Sequence, residues 1–137
     1  MKLRYARIIT HNVAGMVAFY HRITGITPEI KSEDYVELPT SAGTLAIGSQ
    51  RSMDMYGAGA TTPAANRSAI VEFEVEDVDK EHARLAGVID KCVLEPTTQP
   101  WGNRSMLFRD PDGNLINFFA PVRRAAQPEP AAVSSGQ

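Results

Sequence analysis

Residues 100–119 read Pro-Trp-Gly-Asn-Arg-Ser-Met-Leu-Phe-Arg-Asp-Pro-Asp-Gly-Asn-Leu-Ile-Asn-Phe-Phe. Two apolar-rich runs, 104–109 and 115–119, flank Asp110-Pro111-Asp112-Gly113. Proline presets a turn and glycine accepts a positive φ, so the stretch predicts two strands joined by a tight turn. Immediately upstream, residues 69–75 alternate as a strand does. Asp77 can cap a helix whose apolar face is marked by Val78, Leu85 and Ala86 and which ends at Gly87, and residues 91–95 are again strand-like.

The same order of elements occurs earlier in the chain. Residues 3–10 alternate, Asn12 can cap, and Met16, Phe19, Tyr20 and Ile23 recur at helical spacing until Gly25. Three strand-like runs follow, 28–32, 35–38 and 44–48, with the turn Thr40-Ser41-Ala42-Gly43 between the last two. The caps Asn12 and Asp77 lie 65 positions apart. The expected fold is therefore α+β: two βαβββ repeats forming a cup-shaped, curved mixed sheet with the helices outside. Each repeat alone would expose a sheet face and a helix stripe, so the two must associate within one chain or with a partner chain. Residues 1–122 form a single domain in this reading, with repeat one at about 1–49, a Gly-, Ala-, Thr- and Pro-rich linker at 50–67, and repeat two at about 68–122. Residues 123–137 have no aromatic and no apolar period and are expected to be a disordered tail.

Composition narrows the class. The chain has 137 residues, 43% apolar and 22% charged, enough for one folded core. Its 14 Lys and Arg against 16 Asp and Glu give a formal charge of −2, so no basic field exists to neutralise a phosphate backbone, and nucleic acid is not an expected partner. No apolar run approaches the roughly 18 to 20 residues of a membrane span. The start, Met1-Lys2-Leu3-Arg4-Tyr5, holds no signal-peptide core. A cytoplasmic protein without a membrane partner is expected. The lone Cys92 can form neither an intrachain disulfide nor a Cys-based zinc cluster. It reads as a small buried hydrophobe, with a reactive thiol as the alternative.

Asn12-Val13, Ala18-Phe19-Tyr20 and Gly25, the run Val-Glu-Phe-Glu-Val-Glu-Asp-Val at 71–78, and above all residues 100–119 resemble the vicinal oxygen chelate superfamily, which includes glyoxalase I, bleomycin-resistance proteins and extradiol dioxygenases. The resemblance extends from residue 1 to about 121. It implies a site inside the cup. In metal-using members a His on the first strand of each repeat and a carboxylate on the last strand hold a divalent ion. The matching positions here are Tyr5, Ile70, Asn117 and Ala46 (or Ile47 with a one-residue slip). Ile and Ala cannot coordinate, and Tyr and Asn are weak ligands without an anionic neighbour, so no metal and no cofactor is expected at these positions. His11, His21 and His82 read as surface or helix-face histidines rather than replacement ligands.

Strand parity assigns the lining. Ala6, Ile8, Val71, Phe73, Val75, Ile116 and Phe118 should pack under the helices. Tyr5, Arg7, Ile9, Ile70, Glu72, Glu74, Leu115, Asn117 and Phe119 should face the cup. Arg7, Glu72, Glu74 and Asn117 would be polar anchors in apolar and aromatic surroundings, a lining suited to a small organic ligand. Arg7 could equally pair with Glu72 or Glu74. Trp101 could stack on a planar ligand or plug the edge of the domain. Met53, Met55 and Tyr56 in the linker could close over a ligand or make a dimer contact. The expected ligand-binding set is Tyr5, Arg7, Glu72, Glu74, Trp101, Asn117 and Phe119. The expected function is metal-independent binding of a small aromatic or apolar molecule by a homodimer. The alternatives are a metal-dependent lyase or dioxygenase, a metal-free acid–base enzyme using Glu72, Glu74 or Tyr5, or an interaction module whose cup is filled by its own side chains.

Overall fold

The structure, a computed structural model, describes residues 1–122. The tail expected at 123–137 lies outside the described residues. The chain runs β1 (Tyr5–Thr10), α1 (Val13–Thr24), β2 (Glu29–Ser32), β3 (Tyr35–Pro39), β4 (Thr44–Ser49), α2 (Gln50–Asp54), β5 (Ile70–Glu74), α3 (Val78–Arg84), β6 (Leu94–Thr98), β7 (Asn103–Arg109) and β8 (Leu115–Pro121). These strands make two four-stranded mixed sheets, ordered β1-β4-β3-β2 and β5-β8-β7-β6, which are the two βαβββ repeats. In each, the first strand pairs parallel with the fourth and the other pairs are antiparallel.

By contacts the chain divides into two compact units. The first comprises residues 1–69 together with 110–114, and the second comprises the described residues of 70–109 and 115 onward. In the first, the Asn12 side chain caps α1 by accepting from the Gly15 N–H at 2.9 Å. Gly25 ends the helix with φ 73° while donating its N–H to His21 O, a left-handed stop that favours glycine. Met16, Tyr20 and Ile23 turn inward from α1, which packs on β3 and β4. Beneath them lie Val36, Leu38, Leu45 and Ile47, all buried. Ala6 and Ile8 pair with Leu45 and Ile47, as parity requires, but β1 is an edge strand, so Ala6 stays exposed and Ile8 half-buried.

The β7–β8 turn belongs to this first unit, and its sequence explains its shape. Asp110 Oδ1 accepts the N–H groups of Asp112 and Asn114, both at 2.9 Å, and Gly113 takes φ 86° while donating to Asp110 O. One aspartate thus supplies the acceptors that the exposed backbone of a tight turn lacks.

In the second unit, Asp77 caps α3 by accepting from the Lys80 N–H, and α3 packs on β6, β7 and β8. The core is Val78, Leu85, Met106, Phe108, Ile116 and Phe118. Phe118 meets Phe73 and Phe108 edge to face, with centroids 5.8 and 5.2 Å away. Arg104 of β7 binds Asp79 of α3 through two hydrogen bonds, at 2.7 and 2.9 Å, and pins the helix to the sheet.

Three expectations need correction. The linker 50–67 is not wholly irregular, because its first residues form α2, capped by the Ser49 hydroxyl accepting from the Ser52 N–H. Helix α3 stops at Arg84, short of Gly87, and residues 85–88 continue as turns, with the Val88 and Ile89 N–H groups donating to Leu85 O. The strand expected at 91–95 lies at Leu94–Thr98 and includes Pro96. Being at the sheet edge, with a register shift between Leu94 and Thr97, β6 tolerates a residue that cannot donate to a ladder.

Candidate functional site

The sheet face opposite α1 in the first unit presents Tyr5, Arg7 and Ile9 from β1, Tyr35 and Glu37 from β3, and Ala46 and Gly48 from β4. Gly48 leaves the neighbouring side chains close to the backbone. A Cβ there would lie 3.2 Å from Ile9 Cδ1 and 3.4 Å from Arg7 Cδ. The Arg7 stem crosses this glycine, and its guanidinium carbon stands 5.1 Å from the Tyr35 ring centroid, while Nη1 donates to Met53 Sδ at 3.8 Å. The Tyr35 hydroxyl donates to Glu37 Oε2 at 3.0 Å. Burial, then Glu37, holds the phenol above its ordinary range, so it remains a donor.

Within its own unit Arg7 finds partners in Tyr35 and Met53. Tyr35 and Glu37 were missed as site residues. Their alternation with buried Val36 and Leu38 is the signal that could have placed them on this face.

In the second unit the face opposite α3 presents Ile70, Glu72 and Glu74 from β5, Leu115, Asn117 and Phe119 from β8, and Ser105 and Leu107 from β7. Parity placed each β5 and β8 residue on this face correctly. Glu72 and Asn117 are directly opposite in the parallel ladder, and Asn117 Nδ2 donates to Glu72 Oε1 at 2.9 Å. Asn117 is 8% exposed, and its other amide atom, the acceptor Oδ1, is buried with no hydrogen-bond partner. A carboxylate can only accept, so it fixes which end of the amide faces it. The pair presents an unmet acceptor beside an anionic one.

Trp101 stands at the tip of the β6–β7 turn, 61% exposed, where the Gly102 N–H donates to Gln99 O. It neither plugs its unit nor lies within the ladder that carries Glu72 and Asn117. Met55 and Tyr56 are exposed beyond α2. His21 is occupied locally, with Nδ1 2.8 Å from Ile26 O. His11 lies beside an open cleft of about 400 Å³ next to the α1 cap. The guanidinium in that cleft, Arg51, is already bound to Asp34 and Glu33, at 2.8 and 2.6 Å. Cys92 is half-buried rather than buried. Burial first, then Glu95, pushes its thiol up to about 11.

The positions that the resemblance matches to metal ligands are Tyr5, Ala46, Ile70 and Asn117. Ile70 and Ala46 offer no donor atom, Ala46 is fully buried, and the Asn117 amide is committed to Glu72 through its nitrogen.

A family model described as the Glyoxalase/Bleomycin resistance protein/Dioxygenase superfamily matches residues 2–118. A glyoxalase/bleomycin resistance protein/dioxygenase family enzyme from Burkholderia phytofirmans PsJN shares the fold with a TM-score of 0.78 at 18% identity, over 89% of this chain and 100% of that one. A lactoylglutathione lyase from Agrobacterium tumefaciens does so with a TM-score of 0.69 at 19% identity, over 86% and 92% of the two chains. At these identities the likeness is one of fold. The uncharacterized protein YraH of Bacillus subtilis (strain 168) is 39% identical over 56 residues, a match spanning 40% of this chain and 44% of that protein. This chain thus matches less than half the length of that relative. Among the described residues, no helix is long and apolar enough to cross a membrane.

Proposed function

This chain belongs to the glyoxalase/bleomycin resistance protein/dioxygenase superfamily, and from that premise we propose that it binds a small, largely apolar or aromatic molecule carrying a hydrogen-bond donor or a cationic nitrogen. The observation that carries the reading is the Asn117 carbonyl oxygen, buried without a partner beside the Glu72 carboxylate. A buried acceptor left unpaired costs about 1–3 kcal/mol, which a donor on a ligand recovers. Two adjacent acceptors, one anionic, select an ammonium, amidinium or hydroxyl group over a carboxylate or phosphate. Ile70, Leu107, Leu115 and Phe119 on the same face supply the apolar contact. Binding needs no resident metal in this reading, since the donor group takes the place an ion occupies in metal-using relatives.

A calorimetric series of isosteric aromatic ligands, cationic and neutral, tests it. The cationic members should bind at least tenfold more tightly, and Glu72→Gln should remove that preference in a protein that still melts cooperatively. Equal affinity across the series, or a preference that survives Glu72→Gln, overturns the proposal.

A further inference from the structure

On the α3 side of the second unit, three separate segments bring a nitrogen, a sulfur and an oxygen ligand to one point. His82 comes from α3, Cys92 from the connection after it, and Glu95 from edge strand β6, and their ligand atoms all lie within 4.8 Å of one another. His82 Nε2 is 3.0 Å from Glu95 Oε1. We propose that His82, Cys92 and Glu95 form a binding site for a transition-metal dication of the zinc class, on the opposite side of its sheet from Glu72 and Asn117.

Geometry comes first. Ligands about 2.0–2.3 Å from a tetrahedral zinc ion sit roughly 3.4–3.7 Å from each other. The three side chains need only small rotations to reach that spacing. His82 and Cys92 are half-buried and Glu95 is exposed, so the three ligand atoms lie near the surface.

The donor set decides the kind of ion. One thiolate, one imidazole and one carboxylate suit zinc or cobalt, whereas magnesium and calcium require oxygen ligands throughout. Thiolate and carboxylate together balance the two positive charges. A bound metal ion takes the sulfur as thiolate, displacing the thiol proton. The competing account is a simple histidine–glutamate pair at the surface with a thiol nearby, and that account gives the sulfur no role in binding a metal.

Cobalt(II) reads the sulfur directly, because its thiolate complexes absorb in the near ultraviolet by charge transfer. The full chain, freed of metal with a chelator under reducing conditions, is titrated with Co²⁺ and then with Zn²⁺. The expected result is a charge-transfer band that saturates at one equivalent and is displaced by Zn²⁺. It should vanish in Cys92→Ser, and Co²⁺ affinity should fall at least tenfold in His82→Gln. Cys92→Ala replaces the serine variant if the latter loses its cooperative melt. Absence of the band up to millimolar Co²⁺ overturns the proposal. So does a band, or an affinity, that the Cys92 and His82 substitutions leave unchanged.

Discussion

The Tyr20 hydroxyl donates to Asp110 Oδ2 at 2.7 Å across ninety residues of sequence, joining the buried face of α1 to the β7–β8 turn inside the first unit. Both residues are buried. The same carboxylate accepts the N–H groups of Asp112 and Asn114 and the Asn114 side-chain amide. Asp110 is thus the point at which a locally encoded turn is fastened beneath a helix from the other repeat.

Tyr20→Phe removes one donor from a buried carboxylate and leaves the ring in place. Hydrogen bonds to charged groups contribute about 1.5–3 kcal/mol, so stability should fall by that order while the fold is retained. Urea denaturation of the two proteins, with equal m-values, measures it.

Alkaline pH should act through the same hydroxyl. Burial first, then the charge of Asp110, holds the Tyr20 phenol far above its ordinary range. The unfolded chain releases this proton near pH 10 and the folded one keeps it. The stabilisation is therefore fully present below about pH 10, and is lost at about 1.4 kcal/mol per pH unit above it. The difference between wild type and Tyr20→Phe isolates this dependence, which should be flat below pH 9 and fall above pH 10.

Gly25→Ala should cost about 1 kcal/mol. The residue ends α1 at φ 73°, and an added Cβ would meet nothing within 4 Å, so the cost is conformational rather than steric crowding by neighbours. A thermal melt should show a lower midpoint with unchanged helical signal.

Cys92 should alkylate slowly in the metal-free protein. With its thiol pushed up to about 11, the thiolate fraction at pH 8 is about two orders of magnitude below that of an ordinary cysteine. The greater nucleophilicity of a more basic thiolate restores about one of these. Iodoacetamide should therefore react on the order of tenfold more slowly than with free cysteine, as followed by mass spectrometry.

We expect a homodimer in solution. Edge strand β2 is exposed along its whole length, with Ile30 at 74%, and a bare sheet edge carrying an apolar side chain is well covered by a symmetric partner. Light scattering at micromolar concentration should give twice the chain mass, and a monomer would refute the expectation.

What the sequence determined by itself is what a few neighbouring residues determine. The caps at Asn12 and Asp77, the stop at Gly25, the Asp110 to Gly113 turn and the period-two faces of β1, β5 and β8 depend on local backbone chemistry and alternation, and the two βαβββ repeats were legible from them. Local chemistry also misled where its signals were weak. Nothing in 50–54 announces α2 except a serine cap, and the strand expected at 91–95 forms at Leu94–Thr98, where an edge position accommodates Pro96. Only the tertiary structure gave these side chains their partners. It set Arg7 over Tyr35, left the Asn117 carbonyl unpaired beside Glu72, fastened Tyr20 to Asp110 and gathered His82, Cys92 and Glu95. The reason is physical: alternation tells which side of a strand a residue occupies, whereas its neighbour there depends on strand order and on register between segments far apart in the chain.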